Sequence, residues 1–519
     1  MQGHHDMFHQ PKTNPITKEH LTNALLEMHG SLVMVEKGCL GLNKQYMETG
    51  EKLSHPTWQA LSSLHRTLLH GHRDFILTSQ HFSTSSRRKR LVEGYAIPTR
   101  LWRYGIHLFL ELLRHRLPES LDYMVDFIYH AYSIITLLLR RDSMFAETWT
   151  EYLGDLGLYR MVVENDRRDK QVWAGVSRDW YKKCADRSPG NGRIQHRLAA
   201  LACPDGLKQL FHYTRALLSE CPYFNTHRSV NILFGKNEKH KQLQCAIVPA
   251  FIATHAILFT RGPNKQLMTR ASRFLYLLRG NIHQLNHPAR QNAYIMCCNF
   301  AALLGYGEPD AISAMGFSQS IGQDVVQAYF VARRWFSQIS HHQQSIPQST
   351  QGIRDYSGYD SLRSGASLTF NTLSVFLNRI EHSVVCPAIH IALTFIWSLA
   401  LQPAAMQQLE HMIPWPGICD FLNTLLFPRL AVEIITGDAF PLLEEEVPSR
   451  LPDDFLIHGQ PWSHLYPPLH LSEGVPLDED EPHVEDPSIS IHRQHRCLWL
   501  GVQLAKVSFS PFSVGCNSI

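Results

Sequence analysis

Along most of the chain, apolar residues recur every three or four positions, the spacing that lines one face of an α-helix. The first such stretch, Thr17–His29, sets Leu21, Leu25 and Met28 on one stripe, with Thr17 at the N-cap position. Pro56 opens a longer segment carrying Trp58, Leu61, Leu64, Leu68 and Ile76. Proline suits a first helical turn, where its missing N–H would have had no partner. Pro98 opens the next, with Leu101, Trp102, Leu108 and Leu112, and Pro118 another, with Leu121, Met124, Phe127, Ile128, Ala131 and Ile135. Further helices are predicted over Lys241–Phe259, Asn264–Arg279, Pro288–Leu304, Val325–Phe336, Ser367–His382, Pro387–Leu401, Ala404–His411 and Arg493–Val507. Short turns between long helices make the neighbours antiparallel. The Asn-Gly and Asp-Gly pairs at Asn191-Gly192 and Asp205-Gly206 lie between helical patterns and read as helix entries rather than hairpin turns. The pattern predicts an all-α fold, an α-solenoid of antiparallel helix hairpins.

The pattern lapses in three places. Ser83–Arg90 is a polar loop, and Gln338–Gly365 is rich in Ser, Gln and Gly and predicted to be a mobile loop. After Pro441 the chain turns irregular and acidic, before the last predicted helix. The expected organisation is therefore N-terminal helices and a basic loop over 1–90, a binding region over 91–235, a hairpin domain over 236–440 containing loop 338–365, and an acidic segment with a last packing helix over 441–519.

Composition excludes more than it selects. With 44% apolar and 18% charged residues, the 519-residue chain can bury a sizeable core. Met1–Gln10 is polar and His-rich, unlike a signal peptide, and the richest apolar run, Ile389–Leu401, is short for a bilayer and carries His390 and Ser398. The expectation is a soluble protein of nucleus and cytoplasm, with no membrane contact. The eleven cysteines show no C-x-x-C pair and the 31 histidines no third ligand beside their adjacent pairs, so no metal or other cofactor is implied. Nor is there a Gly-rich phosphate loop, a G-x-S-x-G or an H-E-x-x-H. Pro189-Gly190-Asn191-Gly192 lacks the Lys-Ser/Thr of a nucleotide loop and reads as a turn between helices. The expectation is a binding protein without catalysis.

The net charge of +3 hides an uneven distribution. Arg160–Lys241 holds 16 Lys/Arg against 8 Asp/Glu, while Gly437–Pro487 holds 13 Asp/Glu against one Arg. A basic middle calls for an anionic partner. Its densest part is Lys182, Lys183, Arg187, Arg193 and Arg197. Arg193 and Arg197 are four apart on one helix face, and backbone phosphates ask for clustered cations and little more. RNA or single-stranded DNA is the partner this predicts, although basic residues also settle at helix C-termini to answer the dipole. Arg87-Arg88-Lys89-Arg90 reads as a nuclear-import signal, a nucleic-acid contact or a solvated loop.

Three segments together resemble a known family. The first is Leu101-Trp102 with Tyr152-Leu153-Gly154-Asp155-Leu156 and Tyr159-Arg160. The second runs from Trp180-Tyr181 through Ala185, Pro189, Gly192-Arg193, His196, Phe211 and Tyr213 to Arg215-Ala216-Leu217 and Pro222. The third is Leu451–Gln460 (LPDDFLIHGQ) with Cys497–Gly501 (CLWLG). These are similar to the ever-shorter-telomeres telomerase subunits and the nonsense-mediated-decay adaptors, in particular their filamentous-fungal branch, over roughly residues 90–510. The resemblance implies 14-3-3-like and tetratricopeptide-like helices forming a DNA/RNA-binding region, and a helical hairpin domain behind it. It implies a non-catalytic adaptor in nonsense-mediated mRNA decay or telomere maintenance, with telomerase RNA, decay proteins or telomerase proteins as partners. The nuclease domain of larger members is not expected in the few residues after Val507. The rival expectation is a pure protein–protein scaffold without affinity for nucleic acid.

One departure bears on the partner. The family's adaptors place a Lys five residues after the tryptophan of Leu-Trp and an Arg before the Tyr of the Gly-Asp-Leu helix, as cationic donors for a phosphopeptide. Here those positions hold His107 and Leu158. Arg160 lies two residues on, about 200° round the helix, and cannot replace the missing Arg. Arg103, four before His107, stands on the same stripe. A weaker pocket of Arg103, His107 and Tyr159 beside Leu158 is what remains, and it puts phosphopeptide binding in doubt.

Overall fold

The structure, a computed structural model, describes residues 18–49, 52–80, 91–239, 246–317, 358–379, 383–426, 435–437, 440–441, 450–464, 466 and 487–508. Among these, every regular element is a helix, and the one β contact is an isolated bridge between Asn191 and Cys221. The all-α expectation holds. The chain divides into two compact units, Met1–Cys184 and Ala185–Ile519. Arg87–Arg90, the helix predicted over Val325–Phe336 and residues 338–357 lie outside the described residues.

In the first unit α1 (Lys18–Glu48) packs on α2 (His55–Ser79), whose entry is capped by Ser54 with Pro56 in the first turn. α3 begins at Ile97–Arg100, passes through a π-helical segment, Leu101–His107, and resumes as Leu108–His115. α4 (Leu121–Arg141) and α5 (Ala146–Val163) form a hairpin, and α6 (Arg167–Arg187) follows, its residues to Cys184 belonging to this unit. Asp155, a carboxylate within the apolar α5, accepts a 2.5 Å hydrogen bond from the buried Tyr181 hydroxyl of α6. The bond ties α5 to α6. Gly154 makes room for the Tyr181 ring: a Cβ there would stand 2.6 Å from it.

In the second unit α7 (Gly192–Leu201) and α8 (Gly206–Leu218) form the tightest hairpin. Asn191 and Asp205 are their N-caps, each accepting a backbone N–H, so both Asx-Gly pairs are helix entries as predicted. α9 (Thr226–Lys239), α10 (Ile247–Thr260) and α11 (Asn264–Asn281) continue the series. α12 (Pro288–Leu303) is buried at every position from Gln291 to Leu303, and α14 (Cys386–Ala400) from Pro387 to Ala400 except at Trp397. Neither stretch carries a Lys, Arg, Asp or Glu that would hold a face in water, so both helices can be enclosed. Accordingly α8, α13 (Gly358–Leu377) and α14 pack around α12, and the last helix, α15 (Pro487–Ser508), packs on α14. One apolar core runs from Ala199 to Leu504, across residues 235 and 440.

Two findings differ from the sequence reading. Residues 358–365, expected in a loop, form the first turns of α13. The last of them packs closely: a Cβ on Gly365 would stand 2.9 Å from the backbone of Leu303. In addition, the window Ser383–Ala400 has a mean hydropathy of 1.8 and the length to cross a membrane, but 78% of it is buried inside the unit. It is a core helix whose His390 is bound on both ring nitrogens, to Asp453 (2.8 Å) and to the Tyr466 hydroxyl (2.8 Å).

Candidate phosphate and nucleic-acid sites

The π-helical segment shapes the first candidate site. Its hydrogen bonds reach five residues back, as from the Leu108 N–H to the Arg103 carbonyl, so residues five apart share a face. Trp102 and His107 are five apart and lie near-parallel, ring centroids 6.4 Å apart and 12° between planes. Across from them on α5, Tyr152 and Tyr159 are two turns apart on one stripe. Trp102 stacks on Tyr152 at 4.5 Å, and His107 Nδ1 stands 2.8 Å from the Tyr159 hydroxyl. Behind the segment the buried His65 holds the Gly105 carbonyl through Nδ1 (3.2 Å) and takes a hydrogen bond from Asn43 Nδ2 on Nε2 (3.0 Å). Burial lowers the His65 pKa to about 4, keeping the ring neutral as this pairing requires.

The structure brings His107 and Tyr159 together but does not assemble the predicted pocket of three. The Tyr159 hydroxyl donates to Glu111 Oε1 at 2.8 Å, so its oxygen accepts from His107. Glu111 is held in turn by Arg114 at 2.6 Å. Burial, then the Glu111 hydrogen bond and charge, push the Tyr159 hydroxyl well above its ordinary pKa. Burial also works to raise Glu111, but the bonds from Arg114 and Tyr159 outweigh it and hold the carboxyl below its usual range. A phosphate here would meet a carboxylate already neutralised by its own arginine. Arg103 is exposed with its guanidinium over the Tyr104 ring (5.4 Å), and Leu158 is half-buried. Glu111 was readable as the residue one turn after His107, yet its pairing depends on α5.

The five predicted nucleic-acid residues fall in both units. Lys182 is half-buried in the first unit, where the exposed Lys183 lies over the Trp180 ring at 4.7 Å. In the second, Arg187 and Arg193 are exposed on either side of the turn 188–191, and Arg197 is half-buried one turn further along α7. The turn is tied to the segment after α8: Gly192 N–H donates to the Cys221 carbonyl (3.0 Å) and Cys221 N–H to the Gly190 carbonyl (2.9 Å). Burial, then the Arg197 charge, lower the His196 pKa to about 4. Glu220 lies against Gly190, so this turn also carries a carboxylate. The aromatic residues nearby are core: Tyr181 is fully buried and Tyr213 nearly so.

Two segments that carry the family resemblance meet inside the second unit. Asp453 is gripped by Arg493 through two bonds (2.7 and 2.8 Å), and Asp454 by Arg496 (2.5 Å), all four side chains being buried. Arg493 and His390 hold Asp453 well below the usual carboxylate range against the effect of burial. These bonds join the Leu451–Gln460 segment to the helix bearing Cys497–Gly501. The turn beyond it docks on the second segment: Arg215 Nη2 donates to the His458 carbonyl (2.7 Å), and Gly459 has φ +78° with a Cβ position 2.3 Å from the Pro189 carbonyl. Only glycine fits both conditions. Tyr466, His390 and Asp453 form a relay of the kind used in catalysis, but all three are closed to solvent.

Among the described residues no group of three or more His, Cys, Asp and Glu is placed to hold a metal ion. Five of the nine described cysteines are buried, and burial raises Cys297 to about 12.

One stretch of the sequence is basic and free of carboxylates. From Lys239 to Gly307 the chain has no Asp or Glu, while it carries Lys239, Lys241, Arg261, Lys265, Arg270, Arg273, Arg279 and Arg290. α11 lies at the centre of this stretch. No family model matches the chain, and no curated protein is significantly similar to it.

Proposed function

We propose that the protein is a non-catalytic helical adaptor that holds RNA or single-stranded DNA and links it to protein partners. The observation that carries this reading is the exposure of Arg187 and Arg193 on the two sides of one rigid turn, with Arg197 behind them. Clustered cations suit a sugar–phosphate backbone and carry no sequence preference. The resemblance of the Trp180–Pro222 and Leu451–Gly501 segments directs the proposal to nonsense-mediated mRNA decay or telomere maintenance, with work in nucleus and cytoplasm. Telomerase RNA on co-purification would favour the telomere role, and a decay helicase the other. The phosphopeptide function of the resembled family is not proposed, because Glu111 and Arg114 occupy the chemistry of that pocket.

Reversing Arg193 and Arg197 to Glu tests the proposal. Retention on immobilised single-stranded RNA should fall steeply and its salt dependence flatten. Unchanged, salt-insensitive retention contradicts the reading. A second reading, a scaffold for proteins alone, is favoured by one observation: Leu26, Met34, Leu40 and Met47 of α1 are exposed, an unusual set of apolar side chains for one helix.

A further inference from the structure

α11 contains no acidic residue and exposes one of its faces. Leu267, Phe274 and Leu278 turn inward to the core. On the other side Lys265, Thr269, Ser272, Arg273, Tyr276 and Arg279 are all exposed. At about 100° per residue these six point within roughly 60° of the direction of Tyr276, so they form one stripe. From Lys265 to Arg279 the stripe is about 21 Å long at 1.5 Å per residue. Arg379 comes up to it from the end of α13, its guanidinium donating to the Arg279 carbonyl at 3.0 Å. The nearest acids in sequence are Glu238 before it and Glu308 after it, and Glu308 is bound to Arg261.

Tyr276 gives the stripe its meaning. It is 77% exposed, the highest value among the exposed large apolar side chains of the described residues. An aromatic ring standing in water gains nothing from the fold, and this one stands one turn from an arginine on each side. A flat ring between cations is how a surface holds unpaired bases: the ring stacks on a base while the cations take the adjoining phosphates. An acidic peptide would use the cations but leave the ring idle.

We infer that the α11 stripe of Lys265, Arg273, Tyr276 and Arg279 is a stacking platform for single-stranded nucleic acid. The inference rests on the proposed function and adds to the α7 contact a second one on a different helix. The platform takes a few nucleotides of either sugar type, without reading their sequence.

Fluorescence anisotropy of the full chain with labelled oligouridylate and oligothymidylate, each about fifteen nucleotides long, tests it. Tyr276→Ala should weaken binding about tenfold, as loss of one base–aromatic stack requires, and Tyr276→Phe should restore it. Arg279→Ala should reduce the slope of log affinity against log salt by about 0.7, one phosphate contact to a single strand. The substituted side chains are exposed, and an unchanged circular dichroism spectrum checks that each variant is folded. If the parent chain binds neither oligonucleotide, the proposed function itself fails. If the parent binds, Tyr276→Ala and Arg279→Ala bind like it and Arg193→Glu does not, the α11 platform alone is overturned. Preference for polyglutamate over both oligonucleotides would also overturn it, in favour of an acidic protein partner.

Discussion

The α3–α5 pocket and the outer face of α11 both set aromatic rings beside cationic side chains, and they differ in where the carboxylates are. In the pocket Glu111 sits one turn from His107, accepts from Tyr159 and is closed off by Arg114. Each polar group there has an internal partner. On α11 the cations have no acid within the 69-residue stretch from Lys239 to Gly307, and the ring projects into water. An anion site needs cations whose surroundings lack carboxylates, not merely many cations. Interior charges in this protein join its segments, whereas Lys265, Arg273 and Arg279 of α11 lie on an exposed face.

The sharpest way to break that contrast is at Asp453. If the interior charges are architectural, Asp453→Ala leaves Arg493 and His390 buried without their counter-charge. Urea denaturation should then show the second unit destabilised by about 3–5 kcal/mol. Oligonucleotide affinity of the folded variant should stay as in the parent. A loss of affinity with little loss of stability would move Asp453 from the framework to the binding surface.

A smaller effect sharpens the other side of the comparison. Glu111→Gln removes the carboxylate that fills the pocket and leaves His107 and Arg114 facing it. The parent should bind phosphorylated and plain peptides equally in calorimetric titration, whereas the variant should prefer the phosphorylated form about fivefold, or ~1 kcal/mol, the scale of one charge contact near a wet surface. Preference already present in the parent would mean that Arg103 and His107 suffice despite Glu111.

Much of the architecture was legible in the sequence, and for local reasons. Asn191-Gly192 and Asp205-Gly206 declare helix entries because an Asx side chain caps the N–H groups that follow it. The buried helices α12 and α14 were found within a residue or two by their proline starts and apolar content. What stayed hidden depends on contacts distant in sequence. The π-helical register that aligns Trp102 with His107 has no signature in LWRYGIH, since the α period puts residues five apart on different faces. Asp453 and Arg493 are forty residues apart, and only the fold pairs them. The α11 surface was legible in principle: its acid-free stretch can be counted from the sequence, but the densest run of cations, around Arg193, drew the prediction instead.

Cross-linking of a 4-thiouridine-containing RNA to the full chain, with the linked peptides mapped by mass spectrometry, tests the central claim most directly. Cross-links should fall within α11 at or beside Tyr276, together with others near Arg193. Cross-links confined to the peptides carrying Trp102 or Tyr159, with α11 unmodified, would contradict it.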